Sequence, residues 1–151
     1  DDVEKIIIII TAIRSFKNEL NINPASFIDL SLEKIKNKDK IFFKKNEIML
    51  KKLGRINNFL LKDKKDPSAT IIIAGDLFKI YFDQNVDLNL IKENLNKKKN
   101  KYQDEMKKIS LTLKNKAFIE KAPKNIVDQE KNNYNNLNKN INKISSIIES
   151  L

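Results

Sequence analysis

The residues of this chain best suited to do chemistry are lysines, and the chemistry that they offer is the binding of anionic groups. Nine lysines fall between positions 92 and 116, and two more follow at 121 and 124. An ammonium group binds phosphate or carboxylate as a point charge, and many of them together steer an anionic partner. Lysine is abundant throughout the chain, however, so solvated surface is an equally good explanation for any one of them. The candidate contact residues are Lys97, Lys98, Lys101, Lys107, Lys108, Lys114, Lys116, Phe118, Lys121 and Lys124.

Catalytic chemistry has few residues to draw on. The sequence contains no histidine and no cysteine, which removes the commonest general base together with thiolate nucleophiles and metal ligands. Gly54 and Gly75 are the only glycines, so a glycine-rich phosphate loop is excluded. We therefore predict no catalytic residue, no metal and no cofactor in this chain. The lack of cysteine also excludes disulfides and fits a reducing cytoplasm.

The lysine-rich segment is predicted to form two long helices joined by a corner. The apolar positions repeat at intervals of three and four residues, which is typical of helices that pack along a seam. Asp87 to Leu113 would span about 40 Å at about 1.5 Å per residue, and the corner runs from Asn115 to Pro123. The seam positions are Leu88, Ile91, Leu95, Tyr102, Met106, Ile109 and Leu113 before the corner, and Val127, Glu130, Tyr134, Leu137, Ile141, Ile144, Ile148 and Leu151 after it.

Five residues of this segment have structural explanations that compete with ligand binding. Phe118 is a candidate for stacking on a base, but we favour packing of its ring at the open end of the hairpin. Tyr102 and Tyr134 lie on the seams, where packing is the better explanation. Pro123 is predicted to be the first residue of the second helix, where its missing N–H is harmless. Lys98 lies in a gap of the first seam, along which its aliphatic stem can extend.

The first 83 residues mix helical and strand patterns. Val3 to Asn21 is predicted to be an amphipathic helix, and Phe27 to Leu32 a short strand. Asp39 is a candidate cap for a second helix that runs to about Leu50. Gly54 marks the point where the chain leaves this helix. We expect that helix to bury Ile41, Phe42, Ile48 and Met49.

A β-hairpin is the clearest strand signal. Two apolar runs, Ala69 to Ala74 and Leu77 to Phe82, flank a tight turn predicted at Gly75-Asp76. Asn58 to Leu61 is a further candidate strand. The predicted fold class is therefore α+β, with a small mixed helix and sheet domain in residues 1–83 and an antiparallel two-helix coiled-coil hairpin in residues 84–151. Because the helical pattern starts at the first residue, we expect this chain to be a fragment of a longer one.

The net charge of +10 is concentrated in the hairpin. Residues 87–151 carry 14 basic and 8 acidic side chains, for a net +6, while the first 86 residues carry a net +4. A cationic rod of this kind suits nucleic acid, an anionic membrane surface or an acidic protein. The longest apolar run, Ile6 to Ile10, is too short to cross a bilayer, which takes about 20 residues.

Three stretches together resemble the C-terminal end of bacterial valyl-tRNA synthetases. They are the helix and exit from Ile10 to Pro24, the β pair around Gly75, and the corner, which reads Asn-x-x-Phe-x-x-Lys-Ala-Pro from Asn115 to Pro123. Val127 and Glu130 in the following helix also fit. The resemblance covers nearly the whole chain.

The resemblance implies that residues 1–83 are the end of the anticodon-binding domain and that residues 84–151 are a coiled-coil tRNA-binding arm. In that family the arm packs beside the tRNA elbow, where the D and T loops meet, and positions tRNA(Val) for aminoacylation. The ten candidate contact residues would then bind RNA, while the parent enzyme activates valine with ATP elsewhere. The implied partners are tRNA(Val) and the rest of the synthetase chain, with no membrane or DNA, in a cytoplasmic monomer.

A second interpretation stays open on the sequence alone. The helical hairpin could dock onto protein and hold the domains of a longer chain together without touching RNA. Salt dependence separates the two, because binding to phosphates weakens steeply as salt rises.

Overall fold

The computed structural model describes residues 1–151, and its backbone forms two compact units. The N-terminal unit comprises residues 1–91 with residues 150–151, and the arm unit comprises residues 92–149. The molecule is mixed α+β, with six helices and one four-stranded sheet. No helix is both long enough and apolar enough to cross a membrane.

Helix α1, Asp2–Glu19, is the amphipathic helix that the sequence predicts. Its buried face is lined by isoleucines and Phe16, and the helix packs against α3, Glu47–Gly54, and strand β3, Ala69–Ile73. The helix stops in a Schellman arrangement: Ile22 N–H donates to the Lys17 carbonyl at 2.9 Å while Asn21 adopts a φ of 53°. Asparagine tolerates this left-handed conformation, so the sequence signal for the helix end is physically sound.

The sheet combines parallel and antiparallel pairing in the order β2, β1, β4, β3. Strand β1, Ile28–Ser31, pairs parallel with β2, Ile56–Leu60, and antiparallel with β4, Asp76–Phe82, which also pairs antiparallel with β3. Leu30 lies opposite Ile80 in the register, and both are fully buried. All the strands predicted from the sequence are present, with small shifts at their ends.

The segment between β1 and β2 departs from the prediction. It forms two helices, α2, Asn37–Lys45, and α3, rather than one. The break falls at Asn46, whose N–H and side-chain amide both donate to the Phe42 carbonyl, at 3.1 and 3.0 Å. Asp39 is not a cap: it lies inside the first turn of α2, and its carboxylate pairs with Lys5.

The prediction of which apolar residues are buried in this segment is also mostly wrong. Phe42 is buried, but Ile41, Ile48 and Met49 are 68%, 86% and 51% exposed. Phe43 takes their place in the core, where its ring meets Phe42, Phe59 and Phe78 at centroid distances of 5.4 to 5.7 Å. The break at Asn46 rotates α3 so that Leu50, rather than its neighbours, faces inward.

The β3–β4 hairpin turns one residue earlier than predicted. Its two turn residues are Ala74 and Gly75, with φ values of 51° and 87°, and Asp76 already belongs to β4. Positive φ at both positions is the type I′ geometry that matches the twist of a two-residue hairpin. Glycine accepts this conformation without strain, whereas Ala74 does not.

The arm unit contains most of α4, Leu88–Lys114, the short helix α5, Lys116–Lys121, and nearly all of α6, Lys124–Ser150. All fifteen predicted seam positions are buried or half-buried, which confirms that the apolar stripes face away from solvent. Ile147 is also buried, although its position lies outside the predicted repeat. Pro123 precedes α6 rather than starting it, since its carbonyl accepts the N–H groups of Ile126 and Val127.

Candidate nucleic-acid interface

The corner between the two long helices is a capped helical turn, not an irregular loop. Asn115 begins α5, and its side-chain oxygen accepts the backbone N–H groups of Ala117 at 3.0 Å and Phe118 at 3.4 Å. Asparagine is among the best residues for this position because its short side chain reaches the free donors of the first turn. The turn closes where Ala122 N–H donates to the Phe118 carbonyl at 2.8 Å.

The structure exposes most of the predicted contact residues. Phe118 and Lys98 are half-buried, so neither is fully available to a partner. The others project from α4, from the corner or from the first residue of α6. The exposed candidates are Lys97, Lys101, Lys107, Lys108, Lys114, Lys116, Lys121 and Lys124.

Three lysines of α4 form an outer row, which we define as Lys97, Lys101 and Lys108. Residues four and seven positions apart share one face of a helix, so their ammonium groups follow one line at axial spacings of about 6 and 10 Å. All three are exposed. Lys97 also pairs with Glu93 at 3.0 Å, but both groups are more than 60% exposed, so water and salt weaken this pair.

Two other lysines of α4 lie close to residues of the seam. The Lys98 ammonium lies 6.0 Å from the centre of the Tyr102 ring, which explains how a lysine occupies a gap in the apolar stripe. Lys107 lines a cavity together with Met106 and, from α6, Tyr134. The middle of α4 therefore lies beside the first half of α6.

The two long helices differ sharply in charge. Helix α4 carries eight lysines and three acidic residues, while α6 carries four lysines and three acidic residues. The surface of α6 is amide-rich instead. Its eight asparagines, all exposed, are Asn125, Asn132, Asn133, Asn135, Asn136, Asn138, Asn140 and Asn142.

This arrangement suits the binding of an extended polyanion. The outer row offers point charges that reach phosphates without reading sequence. Over residues 1–151, no group of three or more acidic side chains is placed to hold a metal ion. The exposed surface of the arm is therefore built for electrostatic contact along a helix.

Comparison with known proteins identifies the same segment. Residues 87–151 match the family model described as the valyl tRNA synthetase tRNA binding arm. The whole chain is 57% identical over 151 residues to a valine–tRNA ligase of Pelagibacter ubique, of which it covers 17%.

More distant relatives carry the same name. The valine–tRNA ligase of Francisella tularensis is 30% identical over 125 residues, which make up 82% of this chain and 14% of that protein. The valine–tRNA ligase of Borrelia garinii is 32% identical over 145 residues, which make up 94% of this chain and 16% of that protein. The chain thus spans about a sixth of the length of the relatives that it matches.

Proposed function

Because this chain belongs to the valyl-tRNA synthetase family, with the family's tRNA-binding arm in residues 87–151, we propose that it binds tRNA through the basic outer surface of that arm. The observation that carries the proposal is the exposed outer row of α4, within a segment that matches a tRNA-binding family model. The proposed partner is tRNA(Val), held by the rest of the synthetase chain and by this arm together.

The proposed arrangement of the arm is an antiparallel coiled-coil hairpin. The buried and half-buried seam positions on α4 and α6 support it, as does the cavity that Tyr134 shares with Met106 and Lys107. Two helices that cover each other's apolar stripes leave their outer faces free. Such a rod reaches farther than a small globular domain, and the resemblance to the family implies that it contacts the tRNA elbow.

The proposed role is positioning and not chemistry. Lysine contacts to phosphates add affinity and orient the tRNA, while RNA shape and exposed bases supply what selectivity the elbow offers. In this proposal the arm takes no cofactor, and the parent enzyme binds ATP and valine outside residues 1–151.

A tRNA titration of the chain tests the proposal. We expect binding at low salt that weakens steeply toward physiological salt, because each phosphate contact releases bound counterions. Fluorescence anisotropy with a labelled tRNA transcript measures both the affinity and its salt slope. No binding at low salt would contradict RNA binding by this chain.

A second candidate, docking onto protein, has one observation in its favour. Leu111 on α4 and Ile119 on α5 are 69% and 45% exposed, and exposed apolar side chains can pack against a protein partner. Burial of such residues against protein depends weakly on salt, so the same titration separates the two candidates.

Deletion of residues 87–151 from the full-length synthetase tests the positioning role. We expect the Michaelis constant for tRNA to rise while valine-dependent ATP turnover changes little, because only tRNA contacts are lost. An equal loss of ATP turnover in a folded deletion variant would instead assign the arm a structural role.

A further inference from the structure

The chain contains only two arginines, and the fold brings both to one end of helix α3. Arg14 and Arg55 lie 41 positions apart among 28 lysines. Arg14 projects from α1, and its Nη2 donates to the carbonyl of Leu53 at 3.4 Å, while Arg55 follows directly after α3. Both side chains are exposed. A chain that uses lysine almost everywhere thus concentrates its planar, bidentate cations in one place.

Arg55 occupies a backbone position that suits glycine better. Its φ and ψ are 53° and 55°, the left-handed conformation that ends many helices and in which a Cβ is unfavourable. The preceding residue, Gly54, is closely packed, since an added Cβ would lie 3.0 Å from Ile56 Cδ1 and that side chain would have to shift. The chain therefore places a long cationic side chain where a small residue would be more stable, which is common at functional positions.

An aromatic ring completes the surface. The Arg55 guanidinium lies 5.6 Å from the centre of the Phe27 ring, and Phe27 is 37% exposed. A guanidinium next to a partly exposed aromatic ring is a stacking platform for an unpaired base.

Neither arginine takes part in the seven ion pairs formed by the N-terminal amine, Lys5, Lys45, Lys51, Lys64, Lys79 and Lys97. Beneath the two arginines Lys17 is buried and donates to the carbonyls of Ser26 at 2.6 Å and Pro24 at 3.5 Å. Desolvation, followed by the charges of Arg55 and Arg14, lowers the pKa of Lys17 to about 8. An anion at this surface would relieve that repulsion.

We propose that Arg14, Arg55 and Phe27 form a second RNA-binding site, on the N-terminal unit and separate from the arm. The two guanidiniums bind a backbone phosphate, and the base next to that phosphate stacks on the Arg55–Phe27 pair. Arg14 uses only one of its five N–H donors on Leu53, so it retains a fork for phosphate. Because the site binds a base as well as a phosphate, it should prefer single-stranded or looped RNA to a free anion.

The substitution Arg55→Gly separates binding from folding. Glycine accepts a φ of 53°, so the variant is expected to have a melting temperature equal to or above that of the unchanged chain. The same variant should bind a fluorescein-labelled, ten-nucleotide single-stranded RNA about tenfold more weakly, with a salt slope smaller by about 0.7. Phe27→Ala should lower the affinity by a similar factor and leave the salt slope unchanged.

The matched control is the double substitution Lys62→Gln and Lys65→Gln. It removes two exposed cations from the loop between β2 and β3. We expect it to weaken binding less than Arg14→Gln with Arg55→Gln. The proposal is overturned if Arg55→Gly binds the RNA as tightly as the unchanged chain, or if the control has an equal effect.

The outer row of the arm provides an independent comparison. Its triple substitution, Lys97→Gln, Lys101→Gln and Lys108→Gln, tests the arm and leaves this site intact. If Arg55→Gly weakens binding further in that background, both sites act. With tRNA as the ligand, a loss confined to the triple variant would contradict only the second site, and a loss confined to Arg55→Gly would contradict only the arm.

Discussion

At the scale of single residues, Lys17 shows most clearly how the fold changes the chemistry of a side chain. It lies on the buried face of α1, where its ammonium group has carbonyl partners but no carboxylate. Burial disfavours the charged form, and the nearby arginines disfavour it further, so its pKa falls from an ordinary 10.5 to about 8.

This shift predicts a stability that rises in mildly alkaline solution. Between pH 8 and 10.5 the unfolded chain binds more protons at this position than the folded chain does. The free energy of unfolding should therefore rise with pH through this window, by up to about 3 kcal/mol. Urea unfolding at a series of pH values measures it.

The control for this prediction is Lys17→Met, which should remove the rise. Lys64 and Lys79 do not mask it, because the hydrogen bonds that they donate to Asp29 and Asp63 raise the pKa of these two lysines. Their ion pairs thus persist through the window. An equal rise in the Lys17→Met variant would assign the effect to other groups.

At the scale of elements, the corner depends on one cap. Asn115 satisfies two backbone donors of α5, a helix too short to be stable on its own. Asn115→Ala should destabilise this turn by about 1 kcal/mol. Faster hydrogen exchange at the amides of Ala117 and Phe118 would report it, whereas Asn132→Ala, at an exposed position within α6, should leave those amides unchanged.

The seam of the arm predicts a strong contrast between two aliphatic residues. Ile141 is 8% exposed and lies on the seam, whereas Leu111 is 69% exposed on α4. Ile141→Ala should lower the free energy of unfolding by about 2 to 4 kcal/mol, because it removes buried methylene groups. Leu111→Ala should cost less than about 0.5 kcal/mol. Chemical denaturation followed by circular dichroism compares them, and equal losses would contradict a buried seam.

The elements that the sequence predicts well are those whose signal is local. The long helices α4 and α6 carry their apolar repeat over seven turns, and the exposure of their residues follows it. The β3–β4 hairpin was predicted from apolar runs around a glycine, with an error of one residue at the turn. The coiled-coil pairing itself stays a prediction.

The errors have tertiary causes. Asp39 pairs with Lys5, which lies on another helix, so its local capping signal was misleading. Asn46 ends α2 without a glycine or proline to mark the break. At the candidate site, the exposure of lysines on α4 could be predicted from their spacing. The pairing of Arg14 with the end of α3 could not, because it depends on how distant segments pack.

At the scale of the whole molecule, positive charge is distributed unevenly, which supports the proposal that α4 is the helix that binds RNA. The arm unit carries 14 lysines and 7 acidic residues, most of the excess lying on α4. A polyanion that follows α4 meets a row of ammonium groups, whereas α6 offers mainly neutral amides. RNA affinity should therefore depend on α4 more than on α6.

This asymmetry is tested by two matched triple variants. Replacement of the outer row, Lys97, Lys101 and Lys108, by glutamine should weaken tRNA binding more than the same replacement of Lys131, Lys139 and Lys143 on α6. Both variants lose three positive charges, so a difference between them reports position rather than net charge. Equal losses would indicate that only net charge matters.

The most direct test of the central claim is the salt dependence of tRNA binding by the unchanged chain and by the outer-row variant. The account predicts that log affinity falls linearly with log salt for the unchanged chain, and that the variant's slope is smaller by about 2, since three lysine–phosphate contacts are lost. If both proteins bind tRNA with the same affinity and the same slope, the outer row of α4 does not contact RNA and the central claim is contradicted.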